Sequence, residues 1–413
     1  MSAQATGAGQ VPVTAGQPAA KGWPRSLGLT VVAAGLRVAG GLFRGLIRPR
    51  RRVVMVSRQS TDVPVDFELL KAALLRREPG LDIQIRTVRR VRGPGQRLGL
   101  GFVRDMLAHL RLVASARVVV LDTYSPVVSV PKWADRLRVV QMWHALGALK
   151  RFGLDAIGSP DGRAGAEAAA GEMHRGYAVV LASSEAARPH FATALAVRSD
   201  QVKVAPLPRV DLLTDDAARQ AVRERILGRY PELAKRPVLL YAPTQRRDQA
   251  GRESARRLAG AAHRHGWHLV IAPHPIETWE LDTDGGSVSI ITQPDTSADL
   301  CTVAQAFVTD YSSALFEAAV QAVPCYLFAP DLADYEDQRG LYWDLRQAPF
   351  PLLGDPDQLM EAVARGESTS QMAKDFAQHW IELPPASPGA EATRCADHVA
   401  GIVLEELGRA TRR

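Results

Sequence analysis

Apolar runs of four or five residues alternate along this chain with stretches in which apolar residues recur every third or fourth position. Residues 53–57, 83–87, 118–122, 139–143, 179–182 and 202–205 read as short buried strands. Helical spacing separates them, as in Leu69, Leu70, Leu74 and Leu75. A bridging helix is expected over 217–227, and the plan then repeats with strands at 237–241, 268–272, 288–291, 307–309 and 324–328. Leu315, Phe316, Ala319, Val320 and Val323 place a helix between the last two. Alternation of this kind predicts an α/β fold built as two doubly wound, Rossmann-like lobes. Near the far end, Cys395, Val399, Ile402, Val403 and Leu407 share one helical stripe.

The stretch 27–47 follows a different pattern. It is apolar and rich in glycine, and at 100° per residue Arg37, Arg44 and Arg48 gather on one face opposite Val32, Ala39, Leu42 and Leu46. Two arginines interrupt the span, and its longest uncharged run falls well short of the roughly 20 residues a bilayer requires. The expectation is an amphipathic helix lying in a membrane surface, followed by Arg50, Arg51 and Arg52. Residues 1–22, with much Ala, Gly, Gln, Thr and Pro and no period, are expected to be disordered.

Charge placement changes what the net value of +7 means. Nine of the 51 Lys and Arg precede Asp62, the first acidic residue, so the rest of the chain carries 42 (51 less 9) against 44 acidic residues. The basicity belongs to the N-terminal arm, which favours an anionic membrane surface as partner and argues against nucleic acid. Three scattered cysteines do not make a disulfide framework or a zinc site. A GxxxxGK[ST] phosphate loop and a GxSxG elbow are both missing from the sequence.

Candidate chemistry collects where strands end, the edge at which open α/β sheets bind ligands. His144 follows one strand, with Trp143 before it and Gly147, a source of flexibility, after it. His274 ends another, held between Pro273 and Pro275. Thr244, Gln245, Arg246 and Arg247 follow a third, and a hydroxyl beside guanidinium groups suits a pyrophosphate. Asp310, Ser312 and Ser313 follow a fourth and open a helix, where free N–H groups collect anions; a plain serine N-cap fits the same residues. Glu317, one turn on, suits ribose hydroxyls or a solvated helix face. Lys150 and Arg151 suit an acceptor phosphate or, equally, solvent, and Arg209 follows the 202–205 strand after Pro206, Leu207 and Pro208. His263, His265 and His268 fit no metal spacing and read as surface residues.

Five stretches occur in order: QMWHALGALKRFG (141–153), LYAPTQRRD (240–248), LVIAPHP (269–275), VTDYSS (308–313) and DLADYEDQRGLYWD (331–344). Together they resemble the CDP-glycerol glycerophosphotransferase family of teichoic acid synthesis, over roughly residues 53–345. The resemblance implies a GT-B-like fold with the active site in the cleft between the lobes. It also implies transfer of glycerol phosphate from CDP-glycerol to a hydroxyl of a lipid-linked cell-wall glycopolymer, with release of CMP and no cofactor or metal. His144 and His274 would be catalytic. Thr244, Arg246, Asp310, Ser312, Ser313, Glu317, Lys150 and Arg209 would bind substrate. Ala145 and Gln245 depart from the family pattern. The alternatives are CDP-ribitol or a nucleotide sugar as donor, or a membrane-docked binding protein without catalysis. The expected division is an arm (1–50), an acceptor lobe (51–215), a donor lobe (216–384) and a terminal helix returning to the first lobe (385–413), acting peripherally at the cytoplasmic face of a bacterial membrane.

Overall fold

The computed structural model describes residues 23–59, 62–87, 100–133, 136–159, 162–246, 250–274, 277, 279, 287–385 and 394–412. The expectations for residues 1–22, Arg247 and Pro275 lie outside them. Two six-stranded parallel sheets organise the chain. The first contains β1 (Arg52–Ser57), β2 (Asp82–Thr87), β3 (Val118–Leu121), β4 (Arg138–Gln141), β5 (Val179–Ala182) and β6 (Val202–Val204), in the order 2-1-3-4-5-6. The second contains β7 (Val238–Tyr241), β8 (His268–Ile271), β9 (Val288–Ile290), β10 (Ala306–Thr309), β11 (Cys325–Phe328) and β12 (Leu352–Leu353), in the order 12-11-10-7-8-9. Numbered from its own first strand, the second sheet has the 3-2-1-4-5-6 order of dinucleotide-binding folds, with its switch point between β7 and β10. The fold is α/β and GT-B-like.

Helices cover both faces of each sheet, so the central strands are apolar throughout; Val53 to Val56, Val118 to Leu121 and Leu239 to Tyr241 are all buried. The larger core runs without interruption from the first sheet through Leu146 and Leu149 to Phe316, Phe376 and Trp380 beside the second. The C-terminal helix Cys395–Thr411 lies on the first sheet, against helix Val65–Arg77 and strands β3 and β4. Its buried Glu406 pairs with Arg138 at 2.6 Å, and Asp211 accepts from the Cys395 and Ala396 N–H groups at its start.

Some expectations are corrected. His268 is buried in β8, with Nε2 2.9 Å from Ser289 Oγ, because the strand turns it into the sheet. Strand β4 stops at Gln141 rather than at 143, because Trp143 adopts φ +63°, which no strand continues. Gly147 serves close approach instead of flexibility: a Cβ there would lie 2.4 Å from the Phe316 ring of the second half.

The N-terminal helix Trp23–Leu46 packs on its own protein, against helices Leu100–Ala114 and Gly165–Ala170. Ala33 and Leu36 are buried, and Gly40 sits on Pro131. Arg37 forks onto Glu172 (2.9 and 3.0 Å), and Arg44 donates to the Lys132 carbonyl at 2.8 Å. Arg37 and Arg44 therefore reach across to the protein while Arg48 stays exposed, and Val31, Val38, Leu42 and Leu46 face outward, each at least 60% exposed. Residues Gly28–Leu46 are long and apolar enough, by length and composition only, to cross a membrane.

Candidate active site

The carboxyl ends of β3 and β4 form the seat of His144. Asp122, just beyond β3, is buried, and its carboxylate accepts from Ser57 Oγ (2.5 Å) and the Arg58 N–H (3.3 Å). Burial raises its carboxyl above the ordinary range, and the Ser57 bond opposes that rise. The Asp122 backbone carbonyl lies 2.9 Å from His144 Nδ1. A carbonyl only accepts, so Nδ1 carries the hydrogen and Nε2 holds the lone pair of the neutral ring. The half-buried imidazole lies against Trp143, with ring centroids 4.6 Å apart, and Trp143 in turn lies against Phe152.

Arg209 holds the His144 backbone from beneath. Its guanidinium donates to the His144 carbonyl (2.8 Å) and to Asp66 (2.5 Å) at the start of helix Val65–Arg77, and pairs with Glu317 (2.9 Å). Burial disfavours the charge on Arg209, but Asp66 and Glu317 outweigh it and hold its pKa above the ordinary value. Glu317 belongs to helix Ala314–Val320 beside the second sheet, so this ion triad joins the two halves.

The second sheet supplies its groups at the switch point. Asp310, at the end of β10, accepts from the Thr244 N–H (2.8 Å) beyond β7 and from the Tyr311 N–H (2.6 Å). Burial raises the Asp310 carboxyl, while these bonds and the positive charge of Lys150 lower it. Lys150 follows His144 in the chain, so its field reaches across from the first half. Arg246 pairs with Asp331 at 2.5 Å and lies 5.3 Å from the Tyr335 ring. Tyr335 stacks on Tyr311 at 3.7 Å, and Tyr311 Oη donates to Asp331. Arg246 is thereby oriented by a carboxylate and two stacked rings. Ser312 Oγ accepts from the Ala314 N–H at 3.3 Å, whereas Ser313 makes no capping bond. His274 is exposed just past the end of β8, the strand next to β7.

Backbone pairing fixes the halves near His144. Arg151 N–H donates to Gly340 O (3.1 Å), Tyr342 N–H to Leu149 O (2.9 Å) and Trp343 Nε1 to Ala148 O (2.9 Å). Tyr342 Oη adds a bond to Asp155 at 2.8 Å. The structure thus brings His144, Arg209 and Glu317 into one junction, sets Lys150 within electrostatic reach of Asp310, and puts Thr244 and Asp310 into direct contact at the switch point.

The model of the CDP-glycerol:poly(glycerophosphate) glycerophosphotransferase family matches residues 43–383. The chain belongs to this family. It is 28% identical over 357 residues to the teichoic acid poly(ribitol-phosphate) polymerase of Bacillus spizizenii, covering 83% of this chain and 55% of that one. The ribitol-phosphate primase of the same organism is 28% identical over 73% of this chain and 79% of its own length. The glycerol-phosphate primase of Staphylococcus aureus is 25% identical over 66% of this chain and 72% of its own. This chain therefore spans about half the length of the poly(ribitol-phosphate) polymerase and more of the primases. In fold it resembles the wall teichoic acid polymerase TagF, with TM-score 0.68 at 14% identity, over 94% of this chain and 99% of that one.

Within this member of the glycerophosphotransferase family, sequence reasoning passed over four residues that shape the site. Gln141 and Asp331 stood inside motifs already singled out. Asp66 and Tyr177 carried no local signal, since their partners are distant in the chain. Among the described residues no group of three or more His, Cys, Asp or Glu could hold a metal ion.

Proposed function

We propose that the protein transfers glycerol phosphate from CDP-glycerol to a hydroxyl of a lipid-linked cell-wall glycopolymer. The acceptor oxygen bonds to the β-phosphorus, the bond from that phosphorus to the bridging oxygen breaks, and CMP leaves with the bridging oxygen. His144 Nε2 takes the hydroxyl proton as general base. His274 hydrogen-bonds or protonates the departing phosphate oxygen, where negative charge develops. Residues 51–215 act as acceptor lobe and 216–384 as donor lobe. Thr244, Arg246, Ser312 and Ser313 hold the CDP phosphates, Asp310 serves donor binding by fixing the Thr244 turn, and Lys150 reaches the acceptor phosphate. Arg209 and Glu317 act at the junction between substrates, through the His144 backbone.

The observation that carries this proposal is the His144 seat: an imidazole fixed through Nδ1, on a loop bonded to the half that carries the nucleotide-type switch point. The test is to incubate the purified full chain with CDP-glycerol, CDP-ribitol or a nucleotide sugar and a lipid-linked acceptor, and to measure nucleotide release. CMP from CDP-glycerol is expected, and Arg246→Ala should weaken donor binding by calorimetry roughly tenfold, through loss of a charge-assisted hydrogen bond. CMP from CDP-ribitol alone would support the second reading, which the two relatives at 28% identity favour by name. Donor binding without release would mark a binding protein instead.

The outward apolar face of the N-terminal helix suits a peripheral position at the cytoplasmic face of the membrane, with exposed Arg48 and Arg50 near anionic headgroups. Because the helix also packs on the body, point changes test this better than deletion. Val38→Ser with Leu42→Ser should reduce flotation with anionic liposomes several-fold while leaving donor binding intact. Unchanged flotation at both low and high salt would remove the helix from that role.

A further inference from the structure

We propose that Gln141 is a positioning residue for His144. The proposal rests on the assignment of His144 as general base. Gln141 is the last residue of β4 and is completely buried. Its Oε1 accepts from the Trp143 N–H at 3.0 Å. Its Nε2 donates to the Thr123 carbonyl (3.3 Å) and to Tyr177 Oη (3.0 Å). Tyr177 Oη in turn lies 2.9 Å from His174 Nδ1.

Two backbone groups set the orientation of the amide. The Trp143 N–H can only donate and the Thr123 carbonyl can only accept, so one face of the amide meets each. Tyr177 then receives from Nε2 and directs its own hydrogen to His174 Nδ1, which needs a neutral ring. Burial lowers the His174 pKa to about 3, so the ring is neutral at ordinary pH. The chain of donors runs in one direction from Gln141 to His174, with every member buried.

The amide holds a strained place. Trp143, directly before His144, sits at φ +63°, where a bulky residue is held only by its surroundings. The Gln141 bond to its N–H is one such restraint. The same side chain grips Thr123, whose neighbour Asp122 offers the carbonyl that orients the imidazole. One buried amide thus sets both the backbone that carries the ring and the segment that turns it. A misplacement of about 1 Å at a reacting group costs about 10² in rate.

The test compares Gln141→Leu, Gln141→Glu and Tyr177→Phe with the wild type and His144→Ala, following CMP release from CDP-glycerol and donor affinity by calorimetry. Gln141→Leu should lower kcat about 10²-fold, with the donor KM and Kd within twofold, because the donor groups lie on the other half. Gln141→Glu keeps an acceptor for Trp143 N–H and should recover at least fivefold over the leucine variant. Tyr177→Phe, which leaves the Thr123 bond in place, should cost about fivefold in kcat. Gln141→Leu with kcat within threefold of wild type would overturn the proposal, as would a parallel loss of donor affinity without rescue by glutamate. If the leucine variant does not fold, Tyr177→Phe decides, and wild-type kcat there overturns the proposal. His144→Ala separates the two levels. Full activity in that variant refutes the general base itself, whereas an inactive His144→Ala beside a normal Gln141→Leu refutes only the positioning role.

Discussion

Alanine at His144 or at His274 should each reduce transfer by about 10² to 10⁴ while leaving the protein folded, the range for loss of a positioned general acid or base. The two variants should nevertheless differ. His144 is half buried and bonded to the Asp122 carbonyl, so its removal frees a buried acceptor and trims a ring that lies on Trp143. A modest fall in thermal stability should accompany His144→Ala, whereas exposed His274 should give almost none. Donor affinity should survive His144→Ala, because the first half holds that ring. It should weaken in His274→Ala, because His274 emerges one strand from the Thr244 turn. CMP release at saturating substrates, calorimetry with CDP-glycerol and a thermal melt make the comparison. Near wild-type turnover in either variant would remove that residue from the mechanism.

How far the sequence was legible depended on the range of the interactions. Strand ends were readable because a parallel strand buried on both faces is a plain apolar run, and eleven of the strands were anticipated within a few residues. Strand β12 was not, since two residues carry no period. Helices Pro356–Ala364 and Ser370–Trp380 were also missed, although Phe376 and Trp380 of the second pack against Phe316. The arginine face of the N-terminal helix was visible in the spacing, but its direction was not. Arg37, still exposed, reaches along the surface to Glu172, 135 residues away in the chain, and periodicity along a helix says nothing of such a partner. The same limit hid Gln141 and Asp66. Candidate chemistry at strand ends is local and could be named; what holds it in place is long-range and could not.

The second large effect is expected at Arg209. Arg209→Met keeps most of the side-chain volume but leaves Asp66 and Glu317 as buried or half-buried carboxylates without their cation, and the His144 carbonyl without its donor. Removing one partner from a buried ion pair costs about 3–5 kcal/mol, because the remaining charge loses compensation for its desolvation. The partners should rank below it. Asp66→Asn leaves Glu317 to balance the arginine, but weakens two bonds, from the Arg209 N–H and from its guanidinium. Glu317→Gln gives up a single ion pair at the junction and leaves Asp66 in place. Urea midpoints should therefore fall most for Arg209→Met, less for Asp66→Asn and least for Glu317→Gln. Activity need not follow that order. Glu317→Gln loosens the link between the two halves and should lower kcat more than its small loss of stability suggests, whereas Asp66→Asn acts within the first half. If all three variants kept the wild-type urea midpoint, the triad would contribute no more than exposed surface pairs do and would not be a buried junction. If Glu317→Gln kept full kcat, the contact across the halves would have no part in setting His144.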